Sequence, residues 1–247
     1  MEAKKSCENA SVKPGVLDPF AVLDLFAALR PATRETLKRE SRVHAFPKGH
    51  IIFMHEDEAT WFYFVQKGWI KLFRETLDGA EAIMDVLPQG SLFGETAAFE
   101  NGTYAYGAEV IEAASIMAFP LGILEKESQD NSEFSLALLR HISGKGLVRD
   151  KEIELRAVQN AAQRIGCFLL RLCKESEGNT VVLHLPWEKS LIAARLGMTP
   201  ETFSRSLAKL QKEAGLHIRG STVEISDLGR LVRYTCTACS NVFPCDN

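Results

Sequence analysis

Between Glu188 and Gly215 the chain reads EKSLIAARLGMTPETFSRSLAKLQKEAG, a stretch that admits few folds. Leu191, Ile192 and Leu196 give a first helix one apolar face, and Gly197-Met198-Thr199 supplies a turn. Thr199 is placed to N-cap a second helix that begins at Pro200, where a missing N–H costs nothing. In that helix Phe203, Leu207 and Leu210 recur at i, i+4 and i+7, so they form its inner face. The predicted unit is a helix-turn-helix whose outer face carries Glu201, Ser204, Arg205 and Lys209. Such a helix reads base edges near its N-terminus, where Arg suits guanine and Glu suits the cytosine amino group. The candidate DNA contacts are Lys189, Ser190, Thr199, Glu201, Thr202, Ser204, Arg205 and Lys209. The alternative for the same residues is an ordinary helical hairpin with a solvated charged face.

The flanking chain favours DNA. Leu216 to Ile225 holds two short alternating runs around Gly220-Ser221, the pattern of a β-hairpin wing. Residues 160–235 carry eleven Lys/Arg against seven Asp/Glu, whereas residues 1–159 carry eighteen against twenty-four, and the whole chain is at −3. Overall acidity argues against a nucleic-acid partner, but the basic charge is concentrated where the motif lies. A modest basic face implies a salt-dependent backbone contribution rather than strong non-specific binding.

At 247 residues and 46% hydrophobic content the chain can bury two cores. MEAKKSCENASVKPG lacks the apolar core of a signal peptide, and no apolar run is long enough to span a membrane. A cytoplasmic protein without membrane partners is expected, in which six cysteines are a poor disulfide framework.

The organisation follows from changes of period. Residues 1–19 read as a polar, flexible arm, and Phe20 to Leu37 as one or two short helices. From Val43 to Phe119 the sets Ile51/Phe53, Phe62/Phe64, Ile70/Leu72 and Ile83/Asp85/Leu87 alternate and mark strands. Lys48-Gly49, Lys67-Gly68, Asp78-Gly79, Gln89-Gly90 and Asn101-Gly102 mark turns, the last four spaced by eleven or twelve residues. This is the rhythm of an antiparallel β-roll. A long helix follows over 132–158 with Gly144 and Gly146 inside it, each costing about 1 kcal/mol relative to Ala. A helix weakened in this way is either a switching element or simply a mediocre helix. The predicted class is α+β: a roll over 20–131, the long helix over 132–158, a winged helix-turn-helix over 159–234 and a cysteine-containing tail over 235–247.

In that tail Cys236, Cys239 and Cys245 are spaced C-x2-C-x5-C. Thiolates select zinc or iron–sulfur clusters over hard cations, and three are one short of a closed four-coordinate site. A redox thiol pair or an inert tail are the other readings. Cys167 and Cys173 lie in an apolar helix and read as small buried hydrophobes.

This order of parts resembles the CRP/FNR family of bacterial transcription regulators over roughly residues 20–233. The most specific points are Trp61–Phe73, the turn Leu92-Phe93-Gly94-Glu95, and Glu201-Thr202-Phe203-Ser204-Arg205. The resemblance implies a homodimer paired through the long helix (the dimerisation helix), a palindromic double-stranded DNA operator and RNA polymerase as partner. Glu201 and Arg205 match the positions that read the TGA core of a half-site. Ser204 matches the position that separates subgroups, and serine there implies a TTGAT-N4-ATCAA operator and oxygen or nitric-oxide control.

In the cyclic-nucleotide-binding members an Arg-Ser pair holds the cyclic phosphate, because that anion needs a fixed cation and a hydroxyl donor. Ala105 and Tyr106 stand there, so no cyclic AMP site is expected, and Gly94-Glu95 reads as a turn kept for the roll's geometry. The tail is similar to that of bacillus-type FNR proteins, in which three C-terminal cysteines and an aspartate hold a [4Fe–4S] cluster. Here the last gap is one residue longer. Asp150, eighty-six residues before Cys236, is the implied fourth ligand and Cys7 the competing one. Zinc, no cofactor, or a haem on His141, His50 or His55 are the alternatives, as is a small effector sensed by the roll. No nucleophile elbow or phosphate loop is present, and an enzyme is not expected.

Overall fold

Gly68, expected to reverse the chain, instead lies inside an unbroken fifteen-residue strand. The computed structural model describes residues 16–173, 180–185 and 188–238, which divide into two compact units between Lys145 and Gly146. In the first unit three short helices, α1 (Pro19–Val22), α2 (Asp24–Ala27) and α3 (Pro31–Glu40), precede the sheet, one more than the sequence suggests. Strands β1 (Arg42–Phe46), β2 (Ile51–Phe53), β3 (Trp61–Glu75), β4 (Glu81–Leu87), β5 (Leu92–Phe93) and β6 (Gly107–Pro120) form one antiparallel sheet. Its path is β1-β6-β3-β4, with β2 paired to β6 and β5 to β3. Helices α4 (Gly122–Asp130) and α5 (Ser132–Val158) follow.

The register of β3 against β6 shifts between Val65 and Ile70, so residues 65–70 form bulges. Gly68 there has φ +90°, and a Cβ would lie 2.7 Å from the Ala113 carbonyl oxygen. Bulges bend a strand and change which side chains face inward. The alternating pairs Phe62/Phe64 before the bulges and Ile70/Leu72 after them are buried, and Val65 and Phe73 are buried beside them. The turns at Lys48-Gly49, Asp78-Gly79, Gln89-Gly90 and Asn101-Gly102 form where expected.

Phe20, Phe26, Phe62 and Phe119 pack edge-to-face and stacked, joining the N-terminal helices to the roll. A buried carboxylate locks this arrangement. Glu127 of α4 accepts hydrogen bonds from the Arg30 guanidinium at 2.7–3.1 Å, from the Thr33 hydroxyl at 2.6 Å and from the Asn131 amide at 2.8 Å. Burial alone would raise its pKa, but these donors hold it down to about 2. Glu127→Ala is expected to cost about 1.5–3 kcal/mol, the worth of a charged hydrogen-bonded group. Because the folded pKa is depressed, that stabilisation is present above the ordinary carboxylate range and is lost as pH falls through about 2. Urea melts of wild type and variant at pH 7 and pH 3 check both points.

The second unit begins with the C-terminal half of α5. Helix α6 (Ala161–Leu172), strand β7 (Val181–His184), helices α7 (Lys189–Arg195) and α8 (Pro200–Ala214), strands β8 (Leu216–Arg219) and β9 (Thr222–Ile225), and α9 (Leu228–Thr235) complete it. The expected wing is β8 and β9, but β7 joins it to make a three-stranded antiparallel sheet, β7-β9-β8. Ile165, Leu169, Leu170, Ile192, Phe203, Leu207, Leu210 and Leu231 share its core. Helices α6 and α9 approach closely at Gly166, where a Cβ would sit 2.2 Å from the Thr235 hydroxyl. That contact accounts for the glycine inside this helix.

Candidate nucleic-acid interface and sensor site

The turn before α8 is closed by backbone bonds. Gly197 adopts φ +66°, and the Met198 N–H donates to the Ala193 carbonyl at 3.0 Å. Thr199 is the N-cap as expected, its hydroxyl accepting from the Thr202 N–H at 3.3 Å, and Gly215 ends α8 in the left-handed region. Phe203, Leu207 and Leu210 are buried. Glu201, Ser204, Arg205 and Lys209 are exposed, Thr202 is half-buried, and Lys189 and Ser190 are exposed in the first turn of α7. In α7 the buried pair is Ile192 and Ala193, whereas Leu191 and, just past the helix end, Leu196 are half-buried. Glu201's carboxyl is held below the usual range by its own backbone N–H, then by Thr199 and the nearby Arg205 guanidinium. The helix thus carries an ionised acceptor and a fixed cation one turn apart. That pair can address the base amino and the guanine acceptor edge respectively.

In the roll, the turn at Gly94 is occupied from within. Gly94 has φ +79°, and its N–H donates to the Tyr106 hydroxyl at 3.0 Å. Phe53 stacks on Tyr104 at 3.6 Å between ring centroids, and the Tyr104 hydroxyl donates to the Trp61 carbonyl at 2.7 Å. Burial raises the Tyr104 phenol well above its ordinary value. Ala105 is exposed.

Glu95, read from the sequence as part of a retained turn, proves to be fully buried and charged. Lys145 of α5 donates to it at 2.5 Å and to the Leu92 carbonyl at 2.7 Å, and His141 Nε2 lies 3.6 Å from its Oε1. Desolvation pushes the Glu95 carboxyl up, but His141 and Lys145 together bring it below its ordinary value. The signal for this contact was Lys145 in the long helix, fifty residues away, which no local pattern joins to Glu95.

The implied metal ligands are only partly described. Asp150 is exposed on α5, and Cys236 is half-buried in a 3-10 turn, Cys236–Ala238, that follows α9. Cys239, Cys245 and Cys7 lie outside the described residues. Among the described residues no three His, Cys, Asp or Glu side chains gather as a metal site. His141 borders Glu95, His50 stacks on Phe46 at 4.3 Å, and His55 bonds Arg74 at 2.6 Å. They are three separate settings. Cys173 is buried, its thiol donating to the Leu169 carbonyl, whereas Cys167 is only half-buried.

Comparison with known proteins meets this geometry at both ends. The model of the cyclic nucleotide-binding domain matches residues 43–131, and that of the Crp-like helix-turn-helix domain matches 163–234. The crystal structure of a candidate cyclic nucleotide binding protein from Ruegeria pomeroyi is 30% identical, with 88% of this chain and 96% of that one covered and a TM-score of 0.62. The chain belongs to the CRP/FNR family. It is a DNA-binding transcription regulator and not an enzyme. Among curated relatives, the CRP-like cAMP-activated global transcriptional regulator of Mycobacterium tuberculosis is 24% identical over 85% of this chain and 95% of its own length. An anaerobic regulatory protein of Aggregatibacter actinomycetemcomitans is 26% identical over 77% of this regulator and 75% of its own length. FixK2 of Bradyrhizobium japonicum, at 23% identity and a TM-score of 0.68, shares the fold. No helix among the described residues is long and apolar enough to cross a membrane.

Proposed function

We propose that this regulator is a homodimeric activator of the FNR subgroup, reading TTGAT-N4-ATCAA-like operators under redox, oxygen or nitric-oxide control and recruiting RNA polymerase. The observation that carries the operator reading is the exposed set Glu201, Ser204 and Arg205 on the first turns of α8, opposite buried Phe203 and Leu207. Support for the dimer comes from α5, where Leu136, Leu139, Leu147 and Ile153 are 53%, 60%, 70% and 66% exposed along one stripe. Spacings of three and four residues between Leu136, Leu139, Ser143, Leu147, Asp150 and Ile153 suit that stripe to the seam of a helix pair. A two-fold dimer matches a palindrome.

The case against a cyclic-nucleotide signal is equally local. Tyr106 takes the Gly94 N–H and Lys145 takes Glu95, so the turn already has internal partners. The tail then becomes the favoured sensor. Three thiolates within ten residues suit a [4Fe–4S] cluster or zinc, and exposed Asp150 offers an oxygen donor on the α5 stripe. A bound cluster would supply oxygen-labile chemistry, and an oxygen ligand would make it more labile than a fourth thiolate. Protein purified without oxygen is expected to carry iron and acid-labile sulfide and to lose its visible absorption in air. Cys236→Ser, Cys239→Ser and Cys245→Ser should each abolish anaerobic promoter activation. Colourless wild-type protein with unaltered activation by all three variants would reject the tail as sensor.

A further inference from the structure

The helix-turn-helix is tied to the long helix by one carboxylate and one guanidinium. Glu152 of α5 receives the Arg195 guanidinium end-on, Nη1 donating to one oxygen at 3.0 Å and Nη2 to the other at 2.5 Å. Arg171 of α6 approaches the same carboxylate at 3.9 Å. One turn further along α5, Arg156 donates to the Arg195 carbonyl at 3.2 Å and lies against Gly197. Arg195 is the last residue of α7, so its carbonyl is one of those a helix end leaves without an internal partner. Its cation also sits where a helix C-terminus favours positive charge. The Glu152 and Arg195 side chains are 20% and 16% exposed, which removes them from the weak surface class of ion pair.

The place of this contact gives it leverage. Arg195 lies four residues before Thr199, the N-cap of α8, and the intervening turn is closed by the Met198–Ala193 bond. At its other end α5 stops at Val158, and the Asn160 capping box starts α6 after only two residues. A two-residue connection leaves rotation about the joint open unless side chains fix it. Glu152 does so from within α5, while Arg156 holds the turn itself.

We infer that Glu152 is a positioning residue for DNA reading: through Arg195 it fixes the angle of α8 to α5, and so the separation of the two half-sites the regulator accepts. The inference rests on the dimeric reading above and not on the operator sequence. In a two-fold dimer seamed along α5, that angle sets how far apart the recognition helices lie, and half-site spacing follows from it.

The test is selection from a pool of randomised DNA duplexes, using the full-length wild type, Glu152→Gln, Glu152→Ala, Arg195→Ala and the Glu152→Ala/Arg195→Ala double variant. Wild type should enrich paired half-sites at a single spacing. Each single variant should enrich the same half-site at two or more spacings. Its preference for the wild-type spacing over one with an inserted base pair should fall about tenfold or more. The double variant should lose no more than either single one, as residues acting as a unit do. A variant that merely folds less well would lose affinity for every spacing alike and keep its selectivity. Undiminished spacing selectivity in all four variants overturns the inference, and so does a wild-type pool of lone half-sites, which rejects the dimer with it. A wild-type half-site other than TTGAT rejects only the operator proposed above.

Discussion

Arg205→Ala is expected to weaken operator binding and relax selectivity at one guanine of each half-site while leaving the fold intact. The side chain is exposed on α8, away from the buried Phe203, Leu207 and Leu210, so its removal takes nothing from the core. A guanidinium on guanine O6 and N7 is worth about 1–3 kcal/mol of discrimination. Over the two half-sites of a palindrome the losses add, because the contacts are well separated, to roughly 30- to 20,000-fold in affinity. The loss should be confined to the cognate guanine: duplexes altered at that base should bind wild type and variant alike. Lys209→Ala is the contrast, since a backbone-contacting lysine weakens all sequences uniformly and reduces the salt slope. Fluorescence anisotropy on matched and mismatched duplexes at two salt concentrations separates the two. Equal losses on both duplexes for Arg205→Ala would remove it from base reading.

What could be read from the residues divides along the range of the interactions. The α7–turn–α8 unit was legible because its signals are local: Thr199 and Pro200 at a helix start, Gly197 in a turn, and apolar residues repeating within one helix. The wing was legible for the same reason. The third strand, β7, was not, because Val181-Val182-Leu183 pairs with β9 some forty residues later. Gly68 misled because glycine with positive φ serves turns and bulges equally, and only the partner strand distinguishes them. The two buried carboxylates were missed altogether. Glu95 and Glu127 look like surface residues in the sequence, and what makes them internal is a cation contributed from another element. In the candidate site the exposed face of α8 was correctly anticipated. The Glu152–Arg195 contact behind it was not, since it joins residues forty-three positions apart.

Glu95 also gives the largest expected effect on the first unit. A fully buried carboxylate stays ionised only while a cation faces it, and Lys145 supplies that cation from α5. Lys145→Met should therefore destabilise the protein by about 3–5 kcal/mol near neutral pH, the usual consequence of leaving one member of a buried pair alone. His141, at 3.6 Å, is the remaining neighbour and favours the lower figure.

The pH dependence should change sign. In wild type the folded carboxyl lies below its ordinary value, so its contribution is complete above the ordinary range and fades as pH falls through the folded value. Without Lys145, desolvation dominates and the folded carboxyl rises above the ordinary value. The variant is then penalised most at high pH and recovers as acid neutralises Glu95. Glu95→Gln/Lys145→Met removes both charges and should lie much closer to wild type than Lys145→Met does, with no such pH slope. Urea melts of the three proteins at pH 5 and pH 8 decide the matter. A Lys145→Met variant as stable as wild type at pH 8 would mean that Glu95 does not depend on Lys145, and that His141 of the same helix suffices to keep it ionised.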